Sequence, residues 1–393
     1  MALTFWLSIA FVAYVYAGYP ALLQVWATRR ARRRPGADAH GRTGLPGVSI
    51  VIAARNEAAR LGARLDNLRS LDYPPARRQI IVVSDGSTDG TADVAARYRP
   101  FVELVEVSHG GKALALNAGV ARAKFDIVVF ADARQRFAPD ALRQLVAPFA
   151  DPAIGGVTGE LLLDCESALF ANRRDGKRRR KPASTREAPE RRTSGDRRLG
   201  FESTIGDGVG LYWRYEKHLR RLESAVGSTL GATGAIYAIR RGLWSPLPDG
   251  TILDDVLTPM RVVMSGFRVV FEERAQAFDR APADAGAESR RKVRTLAGNF
   301  QILGLEPRLL APWRNPVWFQ YVSHKICRLL VPYALLAAFF SSLALAQHSV
   351  FYLSMVAGEV AFLALAGYGA LLDHRVRMPA LHDELGVPAR GPA

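Results

Sequence analysis

Residues 48–90 read VSIVIAARNEAARLGARLDNLRSLDYPPARRQIIVVSDGSTDG, and the fold turns on how this stretch is parsed. Residues 48–53 are a short apolar, β-branched run, the pattern of a buried strand. The polar turn Arg55-Asn56-Glu57 follows, and then Leu61, Leu65, Leu68 and Leu71 recur at the spacing of one helix face. Residues 80–83 form a second strand that ends in Ser84-Asp85-Gly86-Ser87-Thr88-Asp89-Gly90, with a helix after it over 91–98. The same alternation continues outward: strand 102–107, helix 112–123, strand 127–130, helix 139–150. Strands and helices alternating at these lengths predict an α/β protein, Rossmann-like, with a mostly parallel sheet and helices on both faces. Such sheets bind ligands at the carboxyl ends of their strands. The polar clusters lie there: Arg55-Asn56-Glu57 after the first strand, Asp85 after the second, Asp132 after the fourth. Three acidic sites converging on one crevice point to a binding site rather than to packing.

Beyond that stretch, charge is the most uneven property of the chain. Its 393 residues hold 53 Lys plus Arg against 37 Asp plus Glu, a formal charge of +16, and with 49% hydrophobic residues it is no disordered polar chain. Residues 29–42 hold six arginines against one acid, and residues 173–198 hold twelve basic residues against four acids. Most of the excess therefore sits in two short stretches, and the remainder of the chain is nearly neutral, which excludes a general nucleic-acid-binding body. Cys165 and Cys327 stand far apart, giving neither a disulfide framework nor a metal spacing, and fit a reducing compartment.

Residues 3–26 carry no charge, and about 20 apolar residues suffice to cross a bilayer as a helix. The run starts uncharged and ends in Arg29, Arg30, Arg32, Arg33 and Arg34, a stop-transfer pattern rather than a cleaved signal peptide. Residues 329–346 and 349–372 are two further apolar runs, joined by Gln347-His348 as a helical hairpin. Lys325 and Arg328 before this pair and Arg375 and Arg377 after it agree with Arg29–Arg34 on one topology, by the preference of basic flanks for the cytoplasm. The expectation is an integral protein of a bacterial inner (plasma) membrane with about three transmembrane helices and a cytosolic catalytic domain. Its segments are a first membrane helix (1–28), a basic juxtamembrane linker (29–46), a cytosolic domain (47–310) with a basic insert (172–200), an interfacial segment (311–328), two membrane helices (329–346 and 349–372) and a cytosolic tail (373–393).

Two nucleotide-binding patterns fail on inspection. Gly110-Gly111-Lys112 is followed by Ala113 and lacks the Walker spacing, and Gly206, Gly208 and Gly210 follow no strand and read as a flexible turn. Seven other stretches, taken in order, carry a resemblance: VSIVIAARNE (48–57), IIVVSDGSTDGT (80–91), GGKALALNAG (110–119), VVFADA (128–133), GATGAIYAIRR (231–241), ILDDV (252–256) and RRKVR (290–294). Together they resemble the membrane-bound family 2 glycosyltransferases, relatives of cellulose, hyaluronan and poly-N-acetylglucosamine synthases.

The resemblance implies a GT-A-like fold and an inverting transfer of sugar from a nucleotide diphosphate sugar, with UDP as the expected nucleotide, to a polysaccharide or lipid-linked acceptor. It implies that Asp85 hydrogen-bonds the base, with Ala54 and Glu57 lining the same pocket. Lys112, opening a helix, would meet the diphosphate, as would Arg294, and a helix start suits phosphate. Asp132 would ligate a divalent cation, Mg²⁺ or Mn²⁺, for which carboxylate and phosphate oxygens are suitable donors. Asp255 would be the general base, with Thr233, Gly234 and Asp254 on the acceptor side. Two departures bear on this. Arg134 stands where the family has a second acidic metal ligand, so metal dependence is in question and a fixed cation is gained near the diphosphate. Thr295 stands where processive synthases have a tryptophan, which argues against processive polymerisation.

Several alternatives stand beside these roles. Asp254 reads equally as a helix N-cap. Trp213, Tyr215 and Trp244 read as sugar-stacking aromatics or as core and membrane-surface residues, and Trp313 and Trp318 as interfacial ones. The basic insert reads as a site for anionic lipid headgroups or an anionic glycan, or as a solvated loop. Glu359 reads as part of an acceptor path or as a packing residue, and Gly358, Gly367 and Gly369 suggest close helix packing. Membrane lipids and polysaccharide export components are the expected partners, and nucleic acid is not. A catalytically weak nucleotide-sugar-binding regulator of an export complex is the alternative function, and a synthase of lipid-phosphate sugar donors is another.

Overall fold

The computed structural model describes residues 1–31, 44–164, 204–280 and 285–384. Most of the basic juxtamembrane run, the insert 172–200, Cys165 and the end of the tail lie outside the described residues. The chain divides into two compact units, Leu22–Val322 and a second made of Met1–Ala21 with Ser323–Ala393.

In the larger unit, β1 (Val48–Ala54), β2 (Arg78–Asp85), β3 (Val102–Val107) and β4 (Ile127–Ala131) are the strands expected from the alternation. Helices α3 (Ala58–Arg69), α4 (Thr91–Ala96), α5 (Lys112–Ala121) and α6 (Ala141–Val146) connect or follow them. The strands pair in parallel in the order β3-β2-β1-β4. Val48, Ile50, Val51 and Ile52 are wholly buried, as a central parallel strand covered on both faces requires. Leu61, Leu65 and Leu68 are the buried face of α3, in the register their spacing predicts.

The sheet then departs from simple alternation. It extends through β7 (Ile236–Arg240), β6 (Ile154–Asp164), β8 (Arg268–Arg280) and the two-residue β5 (Arg136–Phe137) to eight strands. β7 runs antiparallel to both β4 and β6, while β6 and β8 are parallel. One register fixes the site: Ala131 pairs with Ile236. Because the strands are antiparallel, the carboxyl end of β4 and the turn entering β7 meet at the same edge of the sheet.

Helix α7 (Thr204–Val226) precedes β7, α8 (Asp254–Met264) precedes β8, and α9 (Ala285–Leu305) and the short α10 (Trp318–Tyr321) follow it. Gly206, Gly208 and Gly210, expected in a turn, lie within α7 instead. The buried register of Leu219, Leu222 and Val226 sets a helix that continues through them. Trp244 stacks on Phe130, which stacks in turn on Tyr237, so Trp244 belongs to the packing of the sheet.

In the smaller unit, α1 (Ala2–Ala13) packs beside α11 (Cys327–Leu345), and Phe5 meets Tyr352 of α12 (Val350–Glu384) edge to face at 5.2 Å. The Tyr14 hydroxyl lies 2.8 Å from that of Ser323. Among the described residues, Gly358, Gly367 and Gly369 show no close packing: a Cβ on any of them meets nothing within 4 Å. Among the described residues, three helical stretches, Ala2–Arg30 (from α1 into α2, Tyr19–Ala31), Trp318–Leu345 and Val350–Gly369, are long and apolar enough to cross a membrane. The second begins at Trp318, ahead of its apolar run, so Lys325 and Arg328 lie on the helix itself.

Candidate active site

The first wall of the site is built by polar side chains reaching between strand ends. Ala54 pairs with Ser84 across β1 and β2, which brings the Arg55-Asn56-Glu57 turn beside the loop after Asp85. Asn56 takes a left-handed conformation (φ 53°), and its Oδ1 accepts the Thr88 amide at 2.9 Å. The Glu57 amide donates to Thr91 Oγ1 at 2.8 Å and the Ala58 amide to Asp89 Oδ2 at 3.0 Å. Asp89 also accepts the Thr91 amide and hydroxyl. Those contacts, the Thr91 hydroxyl first and the Ala58 amide next, hold its carboxyl below the usual range. Asp89 thus organises the rim on which Ala54 and Glu57 sit, a role absent from the sequence reading. Its signal was the Asp-Gly-Thr order before a helix, an Asx turn.

Asp85, 3% exposed at the end of β2, is fully engaged. Its Oδ1 accepts the Gly110 amide at 2.7 Å, its Oδ2 the Gly111 amide at 3.0 Å, and His109 Nδ1 lies 3.1 Å from Oδ2. Burial pushes the Asp85 carboxyl up, but the Gly110 amide, His109 and the Gly111 amide together outweigh it and hold it below its ordinary value. The carboxylate thereby shapes the turn that starts α5. Gly111, at φ 87°, is the N-cap of that helix, and Lys112 is its first residue.

Lys112 joins the two halves of the domain. Its ammonium lies 3.4 Å from Asp132 Oδ1 and 3.2 Å from Asp254 Oδ1. Burial alone lowers its pKa, but the charges of Asp132, Asp254 and Asp255 more than reverse this, so it stays protonated. Behind Asp132 lies a second cation, Arg64, 1% exposed and packed over the Phe137 ring at 4.0 Å. Burial pushes Arg64 down to about 9, against the pull of Asp132. Arg134 turns elsewhere: its Nε pairs with Asp279 of β8 at 3.1 Å, where Gln135 Nε2 also donates at 3.0 Å.

The second wall is the turn before β7 set against the start of α8. Leu253 is the N-cap of α8 and no side chain caps it, so Asp254 is not the cap. Asp254, 4% exposed, is instead an anchor for Lys112. Pro259, inside α8, has no N–H to give the carbonyl four residues back, which is that of Asp255. The Ala232 amide donates to that carbonyl at 2.6 Å. Gly234 lies so close that a Cβ there would stand 2.9 Å from Asp255 Oδ2. Thr233 donates its amide to Thr158 Oγ1 at 2.8 Å, and its hydroxyl accepts from Arg220 at 2.6 Å. Tyr237 is buried; burial first, then the charges of Asp254, Asp255 and Asp132, raises its pKa well above normal and keeps its hydroxyl protonated beside the acids.

The structure thus gathers Lys112, Asp132, Asp254, Asp255, Thr233 and Gly234, with Asp85 one contact away through the turn it holds. Arg294 is not brought into contact with the acids; it is exposed on α9, one turn before the buried Gly298. Among the described residues no three acids, histidines or cysteines gather as a metal site. Asp132, one-third exposed, with Asp254 beside it leaving Oδ2 without a hydrogen-bond partner among the described residues, fits a divalent cation that takes most of its ligands from a diphosphate.

Residues 49–208 match the model of Glycosyl transferase family 2. It is similar to the poly-beta-1,6-N-acetyl-D-glucosamine synthase of Staphylococcus aureus, 24% identical over 271 residues, covering 66% of this chain and 56% of that protein. It is also similar to the beta-monoglucosyldiacylglycerol synthase of a Synechocystis species, 34% identical over 137 residues, 33% of this chain and 29% of that one. The chain therefore spans little more than half the length of the first of these relatives and less of the second. Among solved structures, a mannosyltransferase from Pyrobaculum calidifontis in complex with GDP-Man and Mn²⁺ shares the fold, with a TM-score of 0.63, 22% identity, and coverage of 98% of this chain and all of that one.

Proposed function

We propose that this protein is an inverting glycosyltransferase that moves a sugar from a nucleotide diphosphate sugar, a UDP-sugar by the family resemblance, to a lipid-linked or polysaccharide acceptor at the cytosolic face of a membrane. The observation that carries this is the bridge of Lys112 between Asp132 and Asp254, which puts a diphosphate-compatible cation beside Asp255. The basic residues flanking the candidate membrane helices support the cytosolic placement. Ala54, Glu57 and Asp85 line the base end and Lys112 grips the diphosphate, while Arg294, exposed on α9, has that role by the family resemblance alone.

Asp255 takes the proton of the acceptor hydroxyl as that oxygen bonds to the anomeric carbon. The bond from that carbon to the diphosphate oxygen breaks in the same displacement, and the nucleoside diphosphate leaves with the electron pair. Lys112 and the amino end of α5 stabilise the negative charge that develops on the leaving group. Asp132 would hold a divalent cation, Mg²⁺ or Mn²⁺, which supplies further charge neutralisation to the diphosphate. The Ala232 amide and Gly234 hold Asp255 facing the acceptor turn.

The test is nucleoside diphosphate release by the detergent-purified protein over a panel of nucleotide sugars, with Asp255→Asn alongside and with divalent cations chelated. One sugar nucleotide is expected to turn over, and the variant to be strongly impaired. Turnover of none would sink the enzyme reading; an unimpaired variant would sink the base. Activity that survives chelation would remove the cation.

A further inference from the structure

The backbone that leads into Asp254-Asp255 is held from outside by α9. Gln301 accepts the Ile252 amide on its Oε1 at 2.9 Å and donates its Nε2 to the Gly250 carbonyl at 2.9 Å. One turn earlier on the same helix, Gly298 is buried, and a Cβ there would stand 2.5 Å from Leu253 Cγ and 3.1 Å from Ile252 Cγ2. Leu253 is the N-cap of α8, so the next two residues are the acids themselves. Gly250 takes a left-handed conformation at φ 71°, and Thr251 closes a local turn onto the Pro248 carbonyl, so these residues approach α8 as a loop.

We propose that Gln301 and Gly298 are positioning residues for the acidic pair: they clamp residues 250–253 and so set where the first turn of α8 places the Asp255 carboxylate. The inference rests on the reading of Asp255 as general base. Neither residue meets the reacting atoms; both act through the backbone before Asp254. The chemistry of the clamp is specific. A primary amide offers one acceptor and one donor, which match a backbone N–H and a C=O two residues apart. Leucine offers neither, and glutamate keeps the acceptor but opposes the Gly250 carbonyl with a second oxygen. Gly298 serves by lacking a side chain, since Leu253 fills the space a Cβ would take. The same helix carries Arg294 one turn before Gly298, so a residue assigned to the diphosphate and the clamp on the base share one rigid element. Misplacing a catalytic group by about 1 Å costs on the order of 10²-fold in rate, so a modest shift of this turn is kinetically visible.

The experiment uses the full chain in detergent, with kcat and KM for the donor measured by nucleoside diphosphate release, and with binding of the nucleoside diphosphate alone measured by calorimetry. Gln301→Leu is expected to lower kcat about tenfold or more while donor KM and diphosphate affinity stay within about twofold. Gln301→Glu should fall between. Gly298→Ala should lower kcat similarly, and adding Leu253→Ala should recover part of the loss by vacating the contested space. A wild-type kcat in Gln301→Leu beside an impaired Asp255→Asn overturns the positioning role alone. So does a loss of kcat, diphosphate affinity and melting temperature together, which marks a merely structural helix. An Asp255→Asn protein at the wild-type rate overturns the base assignment instead.

Discussion

The two walls of the site are built by different means. The wall formed by β1, β2 and the start of α5 is stitched by short-range polar chemistry: Asn56 to Thr88, Glu57 to Thr91, Asp89 to Ala58, Asp85 to Gly110 and Gly111. The partners lie at strand ends and helix starts, and the Asp85 and Asp89 carboxylates each accept backbone amides. The wall formed by the 231–235 turn and α8 is shaped by close approach and by helices distant in sequence: Gly234 against Asp255, Gly298 against Leu253, Arg220 on Thr233. On the proposed function, the first wall is the cradle for the nucleotide, a ligand of fixed shape. The second depends on the placement of whole helices, which suits a site where the nucleophile's geometry governs rate. Lys112 is the contact that spans both walls.

This contrast is broken most severely at the reacting atoms. Asp255→Asn is expected to lower kcat by about 10²–10⁴-fold, the usual worth of a general base, with nucleoside diphosphate affinity nearly unchanged. A parallel loss of affinity would show that the second wall also builds the first.

Lys112→Met should harm both walls at once, because Asp132 and Asp254 then face each other without their shared cation. A fall of about 10²-fold in kcat/KM is expected, with donor KM raised as well as kcat lowered. If only KM moves, Lys112 belongs to the donor wall and its contact with Asp254 is incidental.

Gly234→Ala addresses the second wall alone. Its Cβ would press on the Asp255 carboxylate, and kcat should drop about tenfold while the nucleotide still binds. Loss of nucleotide binding in this variant would contradict the division of labour.

How much of this the sequence disclosed follows the same division. The parallel half of the sheet and α3 were readable because β-branched runs and the Leu61, Leu65, Leu68 spacing are local signals. The placement of Asp85 and Asp132 at strand ends and of Lys112 at a helix start was readable because these are local addresses. β6, β7 and β8 were not, since their pairings, antiparallel for β7 and parallel between β6 and β8, join segments far apart in sequence across a long insertion. For the same reason Gly298 and Gln301, whose partners lie about fifty residues away, carried no motif. Arg134 was misjudged from its neighbour: adjacency to Asp132 suggested the diphosphate, but its partner is Asp279 on β8. Asp254 stood open between cap and chemistry, and only the helix geometry separates them.

Acid should loosen the first wall. The Asp85 carboxyl has a depressed pKa when folded, so its contribution to stability is present above its unfolded value and is lost as pH falls through the folded one. Unfolding followed from neutral pH downward is expected to show stability holding to about pH 4 and declining below it. Asp85→Asn should be less stable at neutral pH and should flatten that decline. An unchanged decline would place the acid sensitivity elsewhere.

The smallest expected effect is the sharpest test of the cradle as structure rather than chemistry. Thr91 is wholly buried, accepts the Glu57 amide and donates to Asp89, and touches none of the acids gathered at Lys112. Thr91→Val keeps the shape and removes the hydroxyl, leaving the half-buried Glu57 amide without its acceptor and Asp89 without one donor. Denaturant unfolding should report a loss of about 1–2 kcal/mol, since an unmet amide costs its desolvation and little else changes. Donor KM should rise slightly, because Glu57 lies on the rim that this bond holds, and kcat should stay at the wild-type level. A fall in kcat without a change in stability would mean that the rim bears on the chemistry directly, and the two walls would then have to be treated as one.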